Sequence, residues 1–336
     1  MKKLLALSLA LLMLFSLFAC GKKEEPAPAG QNANADDTPA RPATVRVATL
    51  NGTTGFGMAP LISKSNAGQA ALPFAFTVEA DATVVRDGLI NGTFDIGAVP
   101  TNVAAVIYNR TQGGVKVLAL NTRGVLYLVT KGDATVTLAD LSGKTVYCPA
   151  QNPAFITAAL LGAANVANVT LDSTTYAAPA ELRDAAAAGL VDYAVLPEPM
   201  VTIARSKAAQ TGVTLTVSVD LTAAWDQYFP AGSLVQGCVV ARTDFINAYP
   251  DAVSTFLTEY AASIAAVTAD PDTAAQQIVD AGIFAQAPVA KAAIPKCNLC
   301  YVTGADMKAA LGTFLAAMPL NSIGGALPDD AFYYGA

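Results

Sequence analysis

The alternation of hydrophobic and polar residues predicts β-strands that are each followed by a short polar loop and an α-helix. Val45–Leu50 alternates with a period of two, as a half-buried strand does. The polar segment Asn51–Gly55 follows it, and a helix is expected to open at Met58. A second unit of this kind is predicted at Lys144–Cys148, with its helix over 154–164, so that the two strand centres lie 99 positions apart.

A second motif recurs at almost the same spacing. Asn91–Pro100 and Ala188–Pro197 both contain Gly, two further residues, Asp, a short apolar run and Pro, and a helix is expected before each of them. The two aspartates, Asp95 and Asp192, are 97 positions apart. Two different motifs that recur at nearly one spacing predict two similar α/β lobes.

The last third of the chain is expected to be helical, over 249–268, 272–281, 288–294 and 304–317. In the first of these helices, Val253, Phe256, Leu257, Tyr260 and Ile264 recur at helical spacing. This spacing predicts a helix with one buried face.

Composition excludes several classes of function. The chain of 336 residues is 53% hydrophobic and 14% charged, has 20 Lys+Arg against 26 Asp+Glu, and contains no histidine. An acidic balance argues against a surface that neutralises phosphates, so no nucleic-acid partner is expected. Without histidine, the Ser-His-Asp and Cys-His catalytic patterns and imidazole zinc sites are excluded, and neither a cofactor nor a metal is expected.

The strongest apolar run lies at the N-terminus and predicts an export signal. Met1-Lys2-Lys3 precedes sixteen uncharged residues, Leu4–Ala19, a run shorter than a membrane-spanning helix needs. Leu17–Cys20 resembles the lipobox of bacterial lipoproteins. The resemblance implies a signal peptide over 1–19, diacylglycerol on Cys20, and anchoring by this lipid to the outer face of the cell membrane or to its periplasmic side. A plain secretory signal or an uncleaved anchor is the alternative.

Residues 20–43 are rich in Pro, Ala, Gly and Asn, and they are expected to form a flexible tether. Four cysteines follow Cys20, and an even number outside the cytoplasm permits disulfides. Cys297 and Cys300 are the closest pair and the possible disulfide. Cys148 and Cys238 lie in apolar runs and are expected in the core, and the pairing of the four is left open.

Small, nearly uncharged polar segments follow the predicted strands and are the candidate ligand-binding loops. In open α/β sheets ligands bind beyond the carboxyl ends of the strands, and two of these loops run into helix N-termini, which favour an anion or a carbonyl oxygen. Ordinary turn and N-cap chemistry is the alternative for each loop taken alone.

Two further residues are candidates for ligand contact. Glu198, between Pro197 and Pro199, offers an acceptor for an amine or a ring N–H, and a solvated position is its alternative. Trp225, the only tryptophan, is a candidate for stacking on a flat ligand, with a core position as the alternative. No catalytic residue is expected. The candidate ligand-binding residues are Asn51, Thr53, Thr54, Gly55, Pro100, Thr101, Asn102, Asn121, Thr122, Arg123, Gln151, Asn152, Pro153, Glu198 and Trp225.

The order of these motifs resembles the substrate-binding proteins of ABC importers, most of all the nitrate/sulfonate/taurine and thiamine-precursor group. The resemblance covers about Val45 to Ala317 and includes Leu138–Lys144, which reads L-x-D-L-x-G-K, together with Gly92–Pro100 and Pro197–Pro199. It implies a type II periplasmic-binding fold, in which two similar α/β lobes joined by a two-segment hinge close on a small organic solute.

On this interpretation, one lobe comprises residues 44–122 and 243–336 and the other residues 123–242, with hinge segments near Asn121–Val129 and Ser233–Arg242. The protein is then a monomer that delivers a small-molecule solute to an ABC permease and its ATPase. Uncharged loops favour a neutral or zwitterionic solute, while helix N-termini still allow a sulfonate or carboxylate.

Two alternatives remain open. One is an enzyme on the same fold that acts on a thiamine-type or pyrimidine substrate, for which Glu, Asp or Lys would have to be the base. The other is a sensory lipoprotein that binds a solute without transporting it.

Overall fold

The structure is a computed structural model that describes residues 41–336; the predicted signal peptide, Cys20 and nearly all of the tether lie outside the described residues. The described residues form eleven strands in two sheets. The strands are β1 (Val45–Leu50), β2 (Phe74–Glu79), β3 (Ile96–Pro100), β4 (Val115–Arg123), β5 (Leu126–Lys131), β6 (Thr145–Tyr147), β7 (Thr170–Asp172), β8 (Tyr193–Pro197), β9 (Leu215–Asp220), β10 (Val235–Arg242) and β11 (Leu299–Val302).

The same part of the chain forms thirteen α-helices. They are α1 (Thr53–Phe56), α2 (Ala59–Asn66), α3 (Ala82–Asn91), α4 (Thr101–Thr111), α5 (Asn152–Ala163), α6 (Pro179–Ala187), α7 (Met200–Gln210), α8 (Leu221–Trp225), α9 (Thr243–Ala248), α10 (Pro250–Ala269), α11 (Pro271–Asp280), α12 (Ala287–Ala293) and α13 (Gly304–Ala316). The predicted helices are confirmed to within two residues, and α1 is an additional helical turn inside the segment predicted as a loop.

The two sheets repeat one strand order. The first runs β2–β1–β3–β10–β4–β11 and the second β7–β6–β8–β5–β9. In each sheet three strands are parallel, and the next strand is antiparallel to its neighbours on both sides. That antiparallel strand, β10 or β5, is reached by a crossing from the other sheet. The repeat predicted from the two sequence motifs is therefore present as a repeat of topology.

The chain crosses between the sheets twice, at residues 124–125 and 226–234. The boundary expected after residue 242 is wrong by one strand, because β10 lies between β3 and β4 of the first sheet. Arg123 likewise ends β4 of the first sheet and does not open the second lobe. An apolar strand such as β10 is buried in either sheet, so its pattern does not specify which sheet it joins. We use "first lobe" for residues 44–123 and 235–336 and "second lobe" for residues 126–225.

Apolar side chains of residues 41–336 fill three core clusters. The largest includes Leu120 and Val235 of the first lobe together with Leu126 and Val146 of the second, so it is shared by the two sheets. A second cluster packs α10 and its neighbouring helices on the other face of the first sheet. The third lies between the second sheet and helices α6 and α7.

Helix α10 has the one-sided burial that its residue spacing predicts. Among residues 41–336 it is the one helix long and apolar enough to cross a membrane by length and composition. Its residues Val253, Phe256, Tyr260, Ile264 and Val267 are buried against the first sheet. This burial is that of a core helix.

The four cysteines within the described residues are free thiols, so the predicted bond between Cys297 and Cys300 is not formed. Cys297 is fully buried in the cluster on the α10 side of the first sheet. Cys300 packs against the largest cluster, on the opposite side, next to Val302. Cys297 follows a 3-10 turn over Ile294–Lys296, whereas Cys300 lies in β11, and Asn298 between them has φ 44°. This change of backbone direction is why two thiols so close in sequence do not meet.

Candidate functional site

The carboxyl ends of the parallel strands in the two lobes meet at one place, which we call the interlobe junction. Only two residues separate the end of β4 from the start of β5, and β4 runs parallel to β3 and β1. Leu126, which opens β5, pairs with Pro197 at the end of β8. The strand ends that carry the predicted ligand loops therefore face each other across the short crossing.

A hydrogen bond between two asparagines joins the lobes at this junction. Asn152 Nδ2, at the start of α5, donates to Asn102 Oδ1, in the first turn of α4, over 2.8 Å, and both residues are buried. Asn102 Nδ2 donates in turn to the carbonyl oxygen of Ser322, at 3.5 Å. Two of the predicted loops, Pro100–Asn102 and Gln151–Pro153, are thus brought together.

A second polar group lies within the first lobe at the end of β4. Asn121 Nδ2 donates to the hydroxyl of Tyr260, at 2.9 Å, and to the carbonyl oxygen of Thr54, at 3.3 Å. Thr122 Oγ1 donates to Asn121 Oδ1 at 3.0 Å. Burial raises the pKa of Tyr260, so its hydroxyl stays protonated. Asn121 and Thr122 are therefore buried beside the loop that holds Thr54, as part of the first lobe's own framework.

Glu198 is a buried carboxylate that follows β8. Its Oε2 accepts a hydrogen bond from the backbone N–H of Thr202 at 3.1 Å, and its Oε1 accepts none from the residues that the structure describes. Lys296 Nζ of the first lobe lies 3.9 Å away. Burial raises the pKa of Glu198, because desolvation penalises the carboxylate more than Thr202, Lys296 and Arg205 together favour it. Glu198 is therefore not solvated, which was the alternative to a role in ligand contact.

The loops after β1 and β6 begin with the same unusual backbone conformation. Gly52 has φ 86° and ψ −157°, and Gln151, 99 positions later, has φ 66° and ψ −127°. A residue with a side chain rarely adopts such angles, so Gln151 holds a strained conformation that suits glycine. Strain of this kind is concentrated at functional sites, which supports a role for the loop at Gln151.

Two cavities lie beside these elements. One, of about 500 Å³, lies between Asn51 and Gly52 of the first lobe, Met200 of the second, and Ile283 and Phe284 before α12. Its volume is in the range of small-molecule pockets.

The other cavity, of about 550 Å³, is lined by Arg123, the segment Pro230–Ser233, and residues of β11 and α13. Arg123 Nη1 donates to the carbonyl oxygen of Gly232 at 2.6 Å. Arg123 thus lies in a separate groove, where it holds the second crossing segment.

Trp225 is a core residue, which contradicts the expectation that it stacks on a ligand. It is fully buried, its ring stacks on Phe229 with centroids 3.9 Å apart, and its Nε1 donates to Ser233 Oγ at 2.9 Å. An indole buried in this way needs a partner for its N–H, and Ser233 provides it from within the same segment.

Three other candidates have structural roles in the first lobe. A Cβ at Gly55 would lie 2.0 Å from the carbonyl oxygen of Leu50, so glycine is required there by close packing. Thr101 Oγ1 donates to the carbonyl oxygen of Val235 at 2.8 Å and so fastens α4 to β10. Pro100 precedes α4 as its N-cap.

The structure also adds residues that sequence reasoning missed. Tyr260, Lys296, Ser322 and Phe284 reach the candidate residues from segments near the C-terminus. Their sequence surroundings are those of ordinary core, surface and turn residues. No local pattern marks them, because their proximity to the junction is decided by packing.

No protein-family model and no curated protein sequence matches the chain. Solved structures do match. An ABC transporter protein from Parabacteroides distasonis is 23% identical with a TM-score of 0.74, over 87% of this chain and 99% of that one. The periplasmic aliphatic sulphonate binding protein of Escherichia coli is 13% identical with a TM-score of 0.65, over 82% and 86%. The chain has the periplasmic-binding-protein fold.

A third structure with the periplasmic-binding-protein fold is the alkanesulfonate-binding protein of Xanthomonas axonopodis pv. citri bound to MOPS. It is 14% identical with a TM-score of 0.61, over 86% of this chain and 96% of that one. The fold that the motif order implies is therefore confirmed. The neighbours named here are solute-binding proteins or components of ABC transporters.

Proposed function

We propose that this protein captures a small organic solute between its two lobes and delivers it to the permease of an ABC importer. The observation that carries the proposal is the hydrogen bond between Asn102 and Asn152, which come from different sheets. Burying amide groups is costly unless they are paired. A buried polar pair at the point where the lobes meet is therefore suited to a site that forms when the lobes close.

The two crossings support a mechanism of hinge closure. The backbone N–H of Val125 donates to Gln236 Oε1 at 2.7 Å, and Asn298 Nδ2 donates to the carbonyl oxygen of Gly124 at 2.6 Å. These bonds tie the first crossing to the first lobe and leave few residues to absorb rotation. A solute that contacts both lobes favours the closed state by its difference in affinity for the two states.

The proposed location is outside the cytoplasmic membrane, with a monomer held there by lipid on Cys20 and by the tether that follows. Replacing Cys20 with serine removes the thiol that would carry the lipid. We expect Cys20→Ser to move the protein from the membrane fraction to the soluble fraction, measured by immunoblotting of fractionated cells. Retention of Cys20→Ser in the membrane fraction would count against the lipid anchor.

The thiols give no support to an enzyme on this fold. Burial raises the pKa of Cys148 to about 12 and raises that of Cys238 as well. The thiolate is the nucleophilic form of cysteine, so both groups are held in the unreactive form at neutral pH. Binding is therefore the function that the described residues favour.

Native mass spectrometry of the full-length protein purified in detergent tests solute binding directly. Calorimetry with the solute so identified then compares Asn102→Ala and Asn152→Ala with the parent. Each variant is expected to weaken binding by about 1–3 kcal/mol, because truncation leaves a buried polar partner unpaired. Asn66→Ala, at the exposed end of α2, is the matched control. Parental affinity in both junction variants would refute the proposed site.

A further inference from the structure

We propose that the solute donates hydrogen bonds through nitrogen, as an amine, an amidine or an amino-substituted heteroaromatic ring does, and that it is not an organic anion. The inference rests on the proposed function and names the chemical class that the interlobe junction takes. It follows from the hydrogen-bond acceptors and negative charges that the second lobe has at this junction.

Among the buried side-chain atoms without a partner at the junction, Asn152 Oδ1 and Glu198 Oε1 are acceptors, and Thr202 Oγ1 is a hydroxyl that can donate or accept. The carbonyl oxygen of Ser322 is an obligate acceptor, so Asn102 turns its NH₂ group toward it and its Oδ1 toward Asn152. The NH₂ group of Asn152 therefore donates to Asn102. Asn152 Oδ1, like Glu198 Oε1, is buried and accepts no hydrogen bond from residues 41–336. A solute with N–H groups supplies what both atoms lack.

Three helix N-termini of the second lobe at this edge offer an anion fewer N–H donors than a helix N-terminus usually does. In α5 the second residue is Pro153, which has no N–H to offer. In α7 the N–H of Thr202 is taken by Glu198 Oε2. In α8 the carboxylate of Asp220 accepts from the N–H groups of Thr222 and Ala223. Each of these three helices therefore lacks one or two of the N–H donors that could hold a sulfonate or carboxylate.

The same edge carries negative charge. Asp172 ends β7, Glu198 follows β8 and Asp220 ends β9, so alternate strands of the second sheet have a carboxylate at their carboxyl ends. Such a row repels an organic anion and attracts a cation. Lys296 is the one cationic group within 4 Å of Glu198 in the described chain, and its side chain is 47% exposed. A bound cation can therefore take the place of Lys296, which returns to water.

The free-energy cost of burying Glu198 also favours a cationic solute over an anionic one. Burial raises the pKa of this carboxyl group because desolvation outweighs the hydrogen bond from Thr202 and the charges of Lys296 and Arg205. A cationic nitrogen beside Oε1 would offset that desolvation, whereas an anion would add to it. A buried carboxylate oxygen that accepts no hydrogen bond, as Oε1 is here, is costly in a fold that does not use it.

The test has two stages on the full-length protein in detergent. Native mass spectrometry first gives the exact mass, and hence the elemental composition, of the solute that co-purifies. Calorimetry then compares matched probes that differ in the polar group: benzamidine against benzenesulfonate, propylammonium against propanesulfonate, and 4-aminopyrimidine against pyrimidine. We expect the nitrogen donor of at least one pair to bind at least tenfold more tightly than its counterpart.

Two variants assign that preference to the junction. Glu198→Gln and Asn152→Ala are each expected to weaken binding of the preferred nitrogen probe by fivefold or more. Glu181→Gln, an exposed acid on α6 of the same lobe, is the matched control, because glutamine keeps the cap at Ala178. Unfolding temperatures of all three variants show whether a loss of binding is a loss of folding.

The outcomes separate this inference from the proposed function. Tighter binding of the sulfonates, or a co-purified solute that is an organic anion without N–H groups, would overturn the inference and leave solute capture standing. A protein that carries no solute and binds none of the six probes would overturn both. Equal affinity of the nitrogen probe in the parent and both junction variants would show that the preference arises elsewhere.

Discussion

Replacing Gln151 with glycine is expected to stabilise the protein. Gln151 has φ 66° and ψ −127°, a conformation that glycine adopts without strain and that costs other residues about 1–3 kcal/mol. Its side chain is exposed and forms no hydrogen bond with residues 41–336, so its removal loses little. Glycine adds about 0.5–1 kcal/mol of entropy to the unfolded chain. The net gain is therefore about 0–2.5 kcal/mol, with a middle value of about 1 kcal/mol.

Urea unfolding followed by circular dichroism measures this difference, with Gln151→Ala as the matched control. Alanine removes the same side chain but keeps the strain, so Gln151→Ala should unfold at the same urea concentration as the parent or a lower one. The reverse change at the equivalent position, Gly52→Ala, should destabilise by about 1–3 kcal/mol through the backbone alone. No heavy atom lies within 4 Å of a Cβ added at Gly52, so a steric clash does not contribute. If the Gln151→Gly variant is no more stable than the Gln151→Ala variant, the reasoning is refuted.

Two further predictions concern the acidic residues. Asp95 is buried and accepts hydrogen bonds from the backbone N–H and Nε of Arg46, each at 2.9 Å, whereas Asp192, its counterpart in the repeat, is exposed. Asp95→Ala should therefore lower the free energy of unfolding by about 2–4 kcal/mol and Asp192→Ala by less than about 0.5 kcal/mol in urea unfolding; equal effects would contradict this. The raised pKa of Glu198 means that its contribution to stability is greatest below the unfolded pKa and is lost as pH rises through the folded pKa. Glu198→Gln should thus gain stability relative to the parent between pH 4 and pH 7, measured by thermal unfolding, and a constant difference across that range would show that Glu198 is not the group responsible.

The repeat of the fold could be predicted because local sequence patterns specify its elements. A strand, a polar turn and a helix are each specified by residues a few positions apart, and the two copies keep their spacing over 97 to 99 positions. Even the backbone of Gly52 and Gln151 follows that spacing. The motif alone did not predict that Asp95 is paired while Asp192 is exposed, because Arg46 lies on β1, 49 positions before its partner.

The exchange of strands between the lobes could not be predicted in the same way. Strand β10 lies in the first sheet although the residues just before the crossing belong to the second. Its apolar sequence suits the interior of either sheet, and the choice depends on pairing with β3 and β4, more than 110 positions earlier. Sequence reasoning therefore interpreted Ser233–Arg242 as a hinge segment, although it recognised the run around Cys238 as apolar.

By itself, the sequence determined the elements, their doubling and the position of polar loops at the strand ends, since these depend on period, turn residues and spacing. Its prediction of a lipid on Cys20 concerns residues outside the structure and stays a prediction. Only the tertiary structure decided which of those loops meet, that Asn102 pairs with Asn152, and that Trp225 is core. It also decided that Glu198 is buried with one oxygen, Oε1, that accepts no hydrogen bond from the described residues. The physical reason is that tertiary packing brings together residues far apart in the sequence, such as Asn102 and Asn152, 50 positions apart, and Trp225 and Phe314. No local pattern records such contacts.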